Sequence, residues 1–149
     1  VKFWLILFPT FCFLGKMELP QNMKSNLTLK INAPEEARGS LRIAIFKHED
    51  DFLNTDKAVY LKVLEVNDLQ PVEHQVRPLQ YGEYAIAIFH DTNNNGRLDT
   101  NWLGIPKEPY AFSNDAGKKW KKPSFQDAKV LLDTENRVVR LQLRTWKAR

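Results

Sequence analysis

Only one cysteine, Cys12, and three histidines occur in the 149 residues. Cys12 lies in an N-terminal apolar run, so its removal with a leader leaves no disulfide framework, no thiolate metal site and no cysteine nucleophile. His48, His74 and His90 show no metal-ligand spacing, and no thiolate helps them, which argues against zinc. There is no internal repeat, no low-complexity segment, no convincing amphipathic helix and no nucleic-acid-binding motif. A membrane-spanning helix needs roughly 20 apolar residues, and the run from Phe3 to Gly15 is too short for one.

That run follows Lys2 and ends at Lys16. A positive start, a short apolar stretch and then polar sequence form the pattern of a secretory signal peptide. A retained anchor is the alternative, since Gly15 is the only good small residue near the expected cut. Residues 1–22 are therefore read as a signal peptide and 23–149 as a single domain with an inserted loop at 90–124. The expected location is periplasmic or extracellular, without stable membrane insertion after cleavage.

What remains has the make-up of a soluble globular domain, with 43% hydrophobic and 27% charged residues. The charge is uneven. From Lys118 to Arg149 ten Lys/Arg face three Asp/Glu, whereas from Met23 to Gly117 ten face fourteen. A basic end attracts anionic surfaces, but a solvated sheet face with a basic tail explains the same pattern. Nucleic acid is not an expected partner.

Period-2 alternation dominates, the mark of half-buried strands. Leu27, Leu29 and Ile31 alternate with Thr28 and Lys30; Leu41, Ile43 and Ile45 alternate with Arg42 and Ala44. Val59–Val63 reads as a third strand, or a short helix after Asp56-Lys57-Ala58. Val72–Val76 is a further strand, and Tyr84–Phe89 is apolar on both faces, as a central strand is. Val130–Leu132 and Val138–Leu143 follow, separated by a turn. The reading is an all-β, immunoglobulin-like or transthyretin-like sandwich of about seven strands with one long ordered loop. Tyr84, two residues after Gly82, matches the tyrosine corner of such sandwiches.

The segment 90–124 lacks strand pattern, and loops longer than about 12–15 residues are uncommon unless functional or disordered. Trp102, Leu103, Ile105, Tyr110, Phe112 and Trp120 argue for order. A candidate for the ordering agent is His90-Asp91-Thr92-Asn93-Asn94-Asn95-Gly96-Arg97-Leu98-Asp99. Calcium takes six to eight oxygens, and the EF-hand loop supplies them at its first, third, fifth, seventh and ninth positions, with glycine at the sixth. Those places hold Asp91, Asn93, Asn95, Arg97 (by its carbonyl), Asp99 and Gly96. Trp102 replaces the bidentate glutamate of the twelfth position, so Glu108 or Asp115 would have to complete the shell. The competing reading is an Asx-rich turn that closes on its own backbone.

The run Tyr84–Asp91, then Asn93, Asn95-Gly96, Leu98-Asp99, Leu103–Pro106, Glu108–Tyr110, Phe112–Asn114, Pro123–Phe125 and Asp127-Ala128 closely resembles the signature of the bacterial domain-of-unknown-function family 2141. The resemblance covers most of Leu27 to Leu143. It implies an exported bacterial β-sandwich and implies no reaction. Ala111 stands where glycine is usual and Asp115 where asparagine is usual.

Three functional readings follow. The first is a non-enzymatic, calcium-stabilised module that binds or scaffolds a protein or glycan partner outside the cytoplasm. The second is a carbohydrate-binding module with Trp102, Tyr110, Phe112 and Trp120 as a stacking platform; the same rings also suit a small satellite core. The third is a hydrolase using Glu108 and His90. Asp91, Ser113 and Asp115 add suitable residue types, yet Phe112-Ser113-Asn114 is no nucleophile elbow.

Overall fold

The computed structural model describes residues 22–117 and 122–146. The leader-like run with Cys12 and the ring of Trp120 lie outside the described residues. Among the described residues eight strands form: β1 (Lys24–Ile31), β2 (Ser40–Phe46), β3 (Tyr60–Glu65), β4 (Val72–Gln80), β5 (Gly82–Asp91), β6 (Tyr110–Phe112), β7 (Lys129–Leu132) and β8 (Asn136–Leu141). They make a three-stranded sheet, β4-β1-β8, and a five-stranded sheet, β3-β2-β5-β6, with β7 also paired to β5. This is the expected all-β sandwich. β1 and β8 run parallel, and every other pair is antiparallel.

The alternating residues face one another across the two sheets. Leu27, Leu29, Ile31, Leu41, Ile43, Ile45, Tyr84, Ile86 and Ile88 form the main core, each large side chain contributing about 1.5–3 kcal/mol by leaving water. β5 is apolar on both faces because a second cluster covers its outer side. Ala44, Phe46 and Ala85 meet Phe125 and Ala128, with Phe52 and Phe112 packed against them. Phe52 stands edge-on to Phe46 at 5.5 Å and to Phe125 at 6.1 Å.

Some expected elements are present and others differ. At 59–63 the strand prevails over the helix, because the helical signal upstream is consumed by a 3₁₀ turn at Thr55–Lys57. The fourth strand extends through Arg77-Pro78 to Gln80, where Pro78 sits on an edge strand and needs no ladder donor. The 90–124 loop contains β6 and a 3₁₀ turn at Ser113–Asp115. A short helix, α1 (Phe125–Ala128), was not expected. Its start is fixed by a capping box, the Ser124 side chain accepting from the Asp127 N–H and the Asp127 carboxylate from the Ser124 N–H. The tyrosine corner is present: Tyr84 Oη donates to the Gln80 carbonyl at 2.9 Å.

Register places the loops. Ser40 pairs with Glu65 and with Asp91, and Ile31 pairs with Val72 and Leu141. Segments 32–39, 66–71 and 92–109 therefore leave from one end of the sandwich. The second apolar cluster lies toward the other.

Candidate functional site

Asp91 ends β5 at that loop end with no solvent-exposed surface. A buried carboxylate requires donors, and three reach it. Asn95 N–H donates to Oδ1 at 3.1 Å, Gly96 N–H to Oδ2 at 2.8 Å, and Arg42 Nε to Oδ2 at 2.6 Å. Burial works against the charge. The hydrogen bonds from Arg42, Gly96 and Asn95, together with the Arg42 charge, outweigh it and hold Asp91 below the ordinary carboxylate range. The turn can pass this close because Gly39 leaves room. A Cβ there would lie 2.2 Å from the Asp91 carbonyl oxygen, and its φ of +76° suits glycine.

The next side chains close on one another. Asn93 Oδ1 accepts from Asn95 N–H at 3.1 Å, and Asn95 Oδ1 accepts from Arg97 N–H at 2.8 Å. Their Nδ2 groups converge on Asp99, at 2.7 Å from Oδ2 for Asn93 and 2.9 Å from Oδ1 for Asn95. Ser40 Oγ donates to Asn94 Oδ1 at 2.8 Å and ties the turn to β2.

Glu108 is 5% exposed and grips the turn at both ends. Its Oε1 accepts from Thr92 N–H at 2.9 Å and Thr92 Oγ1 at 3.2 Å, and its Oε2 accepts from Asp99 N–H at 3.0 Å. Lys107 N–H donates to the Asp99 carbonyl, and His90 N–H to the Pro109 carbonyl, each at 2.8 Å. Glu108 is thus a brace on the turn's backbone.

These positions allow a test of calcium. Asp91, Asn93, Asn95, Arg97 and Asp99 are brought into one turn, but Asp91 already holds a guanidinium. Glu108 is engaged with backbone N–H groups, and Asp115 lies 3.7 Å from Arg144. Among the described residues no group of three His, Cys, Asp or Glu is placed to hold a metal ion. Rotating the Asn93 and Asn95 amides would turn oxygens toward Asp99. That supplies the beginnings of a shell, short of the six to eight oxygens calcium takes.

Among the described residues, Trp102 does not join Tyr110 and Phe112 in one platform. Tyr110 and Phe112 lie in β6, half-buried, with ring centroids 5.8 Å apart, and Phe112 packs against Phe52 at 6.2 Å. Trp102 stands apart from them at 88% exposure, beside Leu103 at 60%. These two occupy the tip of a small hairpin closed by the Thr100–Pro106 bridge. Asn101 fixes the tip: its N–H donates to the Ile105 carbonyl at 2.8 Å, and its carbonyl accepts from Gly104 N–H at 2.9 Å. Its Oδ1 accepts from Leu103 N–H at 2.9 Å and Ile105 N–H at 3.0 Å. Sequence reasoning grouped Trp102 with Tyr110 and Phe112, which it does not meet, and missed the Asn101 turn that presents it.

The catalytic readings fare as follows. Ser113 is fully buried; its Oγ accepts from Ile86 N–H at 2.9 Å and donates to the Ala128 carbonyl, joining β5 to α1. His90 and Glu108 do share a cleft, with Glu35, Glu36 and Thr145, of about 130 Å³. Ligand pockets run from roughly 300 to 1,000 Å³. His90 Nε2 donates to the Arg38 carbonyl at 2.6 Å.

An all-β sandwich, with a hydrogen-bonded polar turn and a rigid aromatic-tipped hairpin at one end, is the class of protein that fold and site define. A family model described as "Uncharacterized protein conserved in bacteria" (DUF2141) matches residues 29–140, and the chain belongs to that family. Comparisons with the curated proteins and with solved structures return no match.

Proposed function

We infer that this protein is a non-catalytic binding module whose ligand-facing element is the hairpin carrying Trp102. The exposure of that ring, at 88%, on a tip whose backbone is hydrogen-bonded on both sides carries the reading. A large side chain already held in place loses little freedom on binding, so more of its contact energy appears as affinity. The braces on either side of the turn, Asp91–Arg42 and Glu108, favour a rigid presenting loop over a mobile active-site lid. The signal-like N-terminal run supports a site of action in the periplasm or outside the cell. No helix among the described residues is long and apolar enough to cross a membrane.

The test uses the full chain and an isolated bacterial envelope fraction. Trp102→Ser is expected to lower the co-sedimenting fraction several-fold with an unchanged melting temperature. Equal sedimentation of the two proteins overturns the reading.

The placement of Asn93, Asn95 and Asp99 in one turn supports a second, separable element: a weak site for Ca²⁺ that forms when the two amides rotate their oxygens inward and that stiffens the turn. With a dissociation constant near 10⁻³ M, about 5 mM calcium adds about 1 kcal/mol, a rise of about 3–6 °C in Tm. Asp99→Asn removes the rise. An identical Tm in calcium and in chelator removes the ion from the account.

A further inference from the structure

We propose that the ligand of the Trp102 hairpin is a neutral polysaccharide; this rests on the binding-module reading and names its ligand class. Three observations on the same end of the molecule carry it.

The first is the geometry of the tip. Trp102 and Leu103 are 88% and 60% exposed, and a Cβ built on Gly104 meets nothing within 4 Å. The indole is an open, flat, apolar plate with a fixed mount. The C–H face of a pyranose ring matches such a plate in size and chemistry. Stacking on it needs no pocket.

The second is the limit of the apolar area. Segments 32–39, 66–71 and 92–109, at the same end, carry seven Asn or Gln side chains. Asn32, Asn93 and Asn95 are spent on internal hydrogen bonds, which leaves Asn67, Gln70 and the Nδ2 group of Asn94 to face solvent. Asn101 itself uses its Oδ1 for the turn and leaves its Nδ2 protons without a partner among the described residues. Planar amides offer a donor and an acceptor side by side, as vicinal hydroxyls require. A stable protein partner instead covers about 800 Å² on each side, with a cluster of buried anchors. Two apolar side chains in an amide-rich field suit a sugar surface better.

The third is charge. Among the exposed side chains of the same three segments, Glu35, Glu36 and Asp68 stand against Arg38, Arg97 and Lys107, because Glu108 is buried and Asp99 is held by Asn93 and Asn95. With no net charge, this end offers no steering to anionic lipid, nucleic acid or acidic glycans. A neutral glycan needs none.

The full chain is run in native gels containing mixed-linkage β-glucan, xylan or starch, and sedimented with cellulose or chitin. Parallel samples receive phosphatidylglycerol vesicles. Trp102→Ala is compared with the parent, so any contribution of the N-terminal apolar run cancels. Leu61→Ser, an exposed change on the edge strand β3, serves as the control, and melting curves check that each variant folds. The expected result is retention by at least one neutral polysaccharide, persisting in high salt. It should weaken about tenfold in Trp102→Ala, equivalent to about 1.4 kcal/mol, and stay unchanged in Leu61→Ser. Retention by none of the polysaccharides, or retention that ignores Trp102, overturns the ligand class. Vesicle binding that disappears with Trp102 also overturns the ligand class but keeps the hairpin as the binding element. The binding-module reading stands or falls separately, on the envelope co-sedimentation of Trp102→Ser.

Discussion

The two ends of this sandwich are ordered by different physics. Toward one end, Phe46, Phe52, Phe112 and Phe125 close the outer face of the larger sheet by excluding water. At the other, Asp91, Arg42 and Glu108 close a long turn by directional hydrogen bonds. Apolar packing is non-directional and scales with area, so its loss is large for a large side chain and spreads through the neighbours. A polar brace depends on particular atoms, and a change of one oxygen is felt locally. The Trp102 hairpin is built on the second kind of order, which positions atoms more sharply than it adds bulk stability.

Substitutions at the two ends should separate these modes. Phe46→Ala, at the fully buried centre of the aromatic cluster, should cost about 3–5 kcal/mol, read as a shifted midpoint in urea denaturation. A loss under 1 kcal/mol would mean that this cluster is peripheral to stability.

Asp91→Ala should cost about 2–3 kcal/mol, since three donors, one of them cationic, lose their acceptor. Its pH dependence has a definite sign. The folded pKa of Asp91 lies below the unfolded value, so its contribution is fully present above about pH 4 and is lost as pH falls through the folded pKa. The stability gap between the parent and Asp91→Asn should therefore narrow in acid. A gap that is constant from neutral pH to the acid limit contradicts the assigned ionisation.

Glu108→Gln is the smallest of the three, about 1–2 kcal/mol, because one side-chain oxygen survives to accept. Its signature is local: amide exchange at Thr92 and Asp99 should accelerate while the core strands keep their protection. Uniform acceleration through the whole sandwich would show that Glu108 is no local brace.

The same contrast explains which parts of the structure were legible in the sequence. Alternation such as Leu27-Thr28-Leu29-Lys30-Ile31 has one physical solution, a half-buried strand, and Tyr84 after Gly82 announced its own hydrogen bond. β6 spans only Tyr110–Phe112, too short to show a period, and α1 is a single turn whose only signal was Ser124 with Asp127 three residues on. The candidate site was visible as a turn rich in Asn and Asp, but not how it is held. Arg42 and Asp91 meet through the register of β2 against β5, and no local pattern encodes that pairing. Glu108 was read as a spare ligand because sequence shows a carboxylate's charge and not the N–H groups it will face. The exposure of Trp102 was hidden for a related reason. An indole surrounded by Leu103 and Ile105 looks like core until the Asn101 turn is seen to carry it outward.

The parallel pairing of β1 with β8 has a consequence for synthesis. The strand nearest the beginning of the domain waits for one made more than a hundred residues later, and Val139 and Leu141 are needed to seal the smaller sheet over the core. A nascent chain can therefore assemble hairpins on the ribosome but cannot finish its interior until β8 has been made. Closing so distant a contact is slow, on the order of milliseconds to seconds for sandwiches of this kind, and in that interval the apolar faces of both sheets stay open to water.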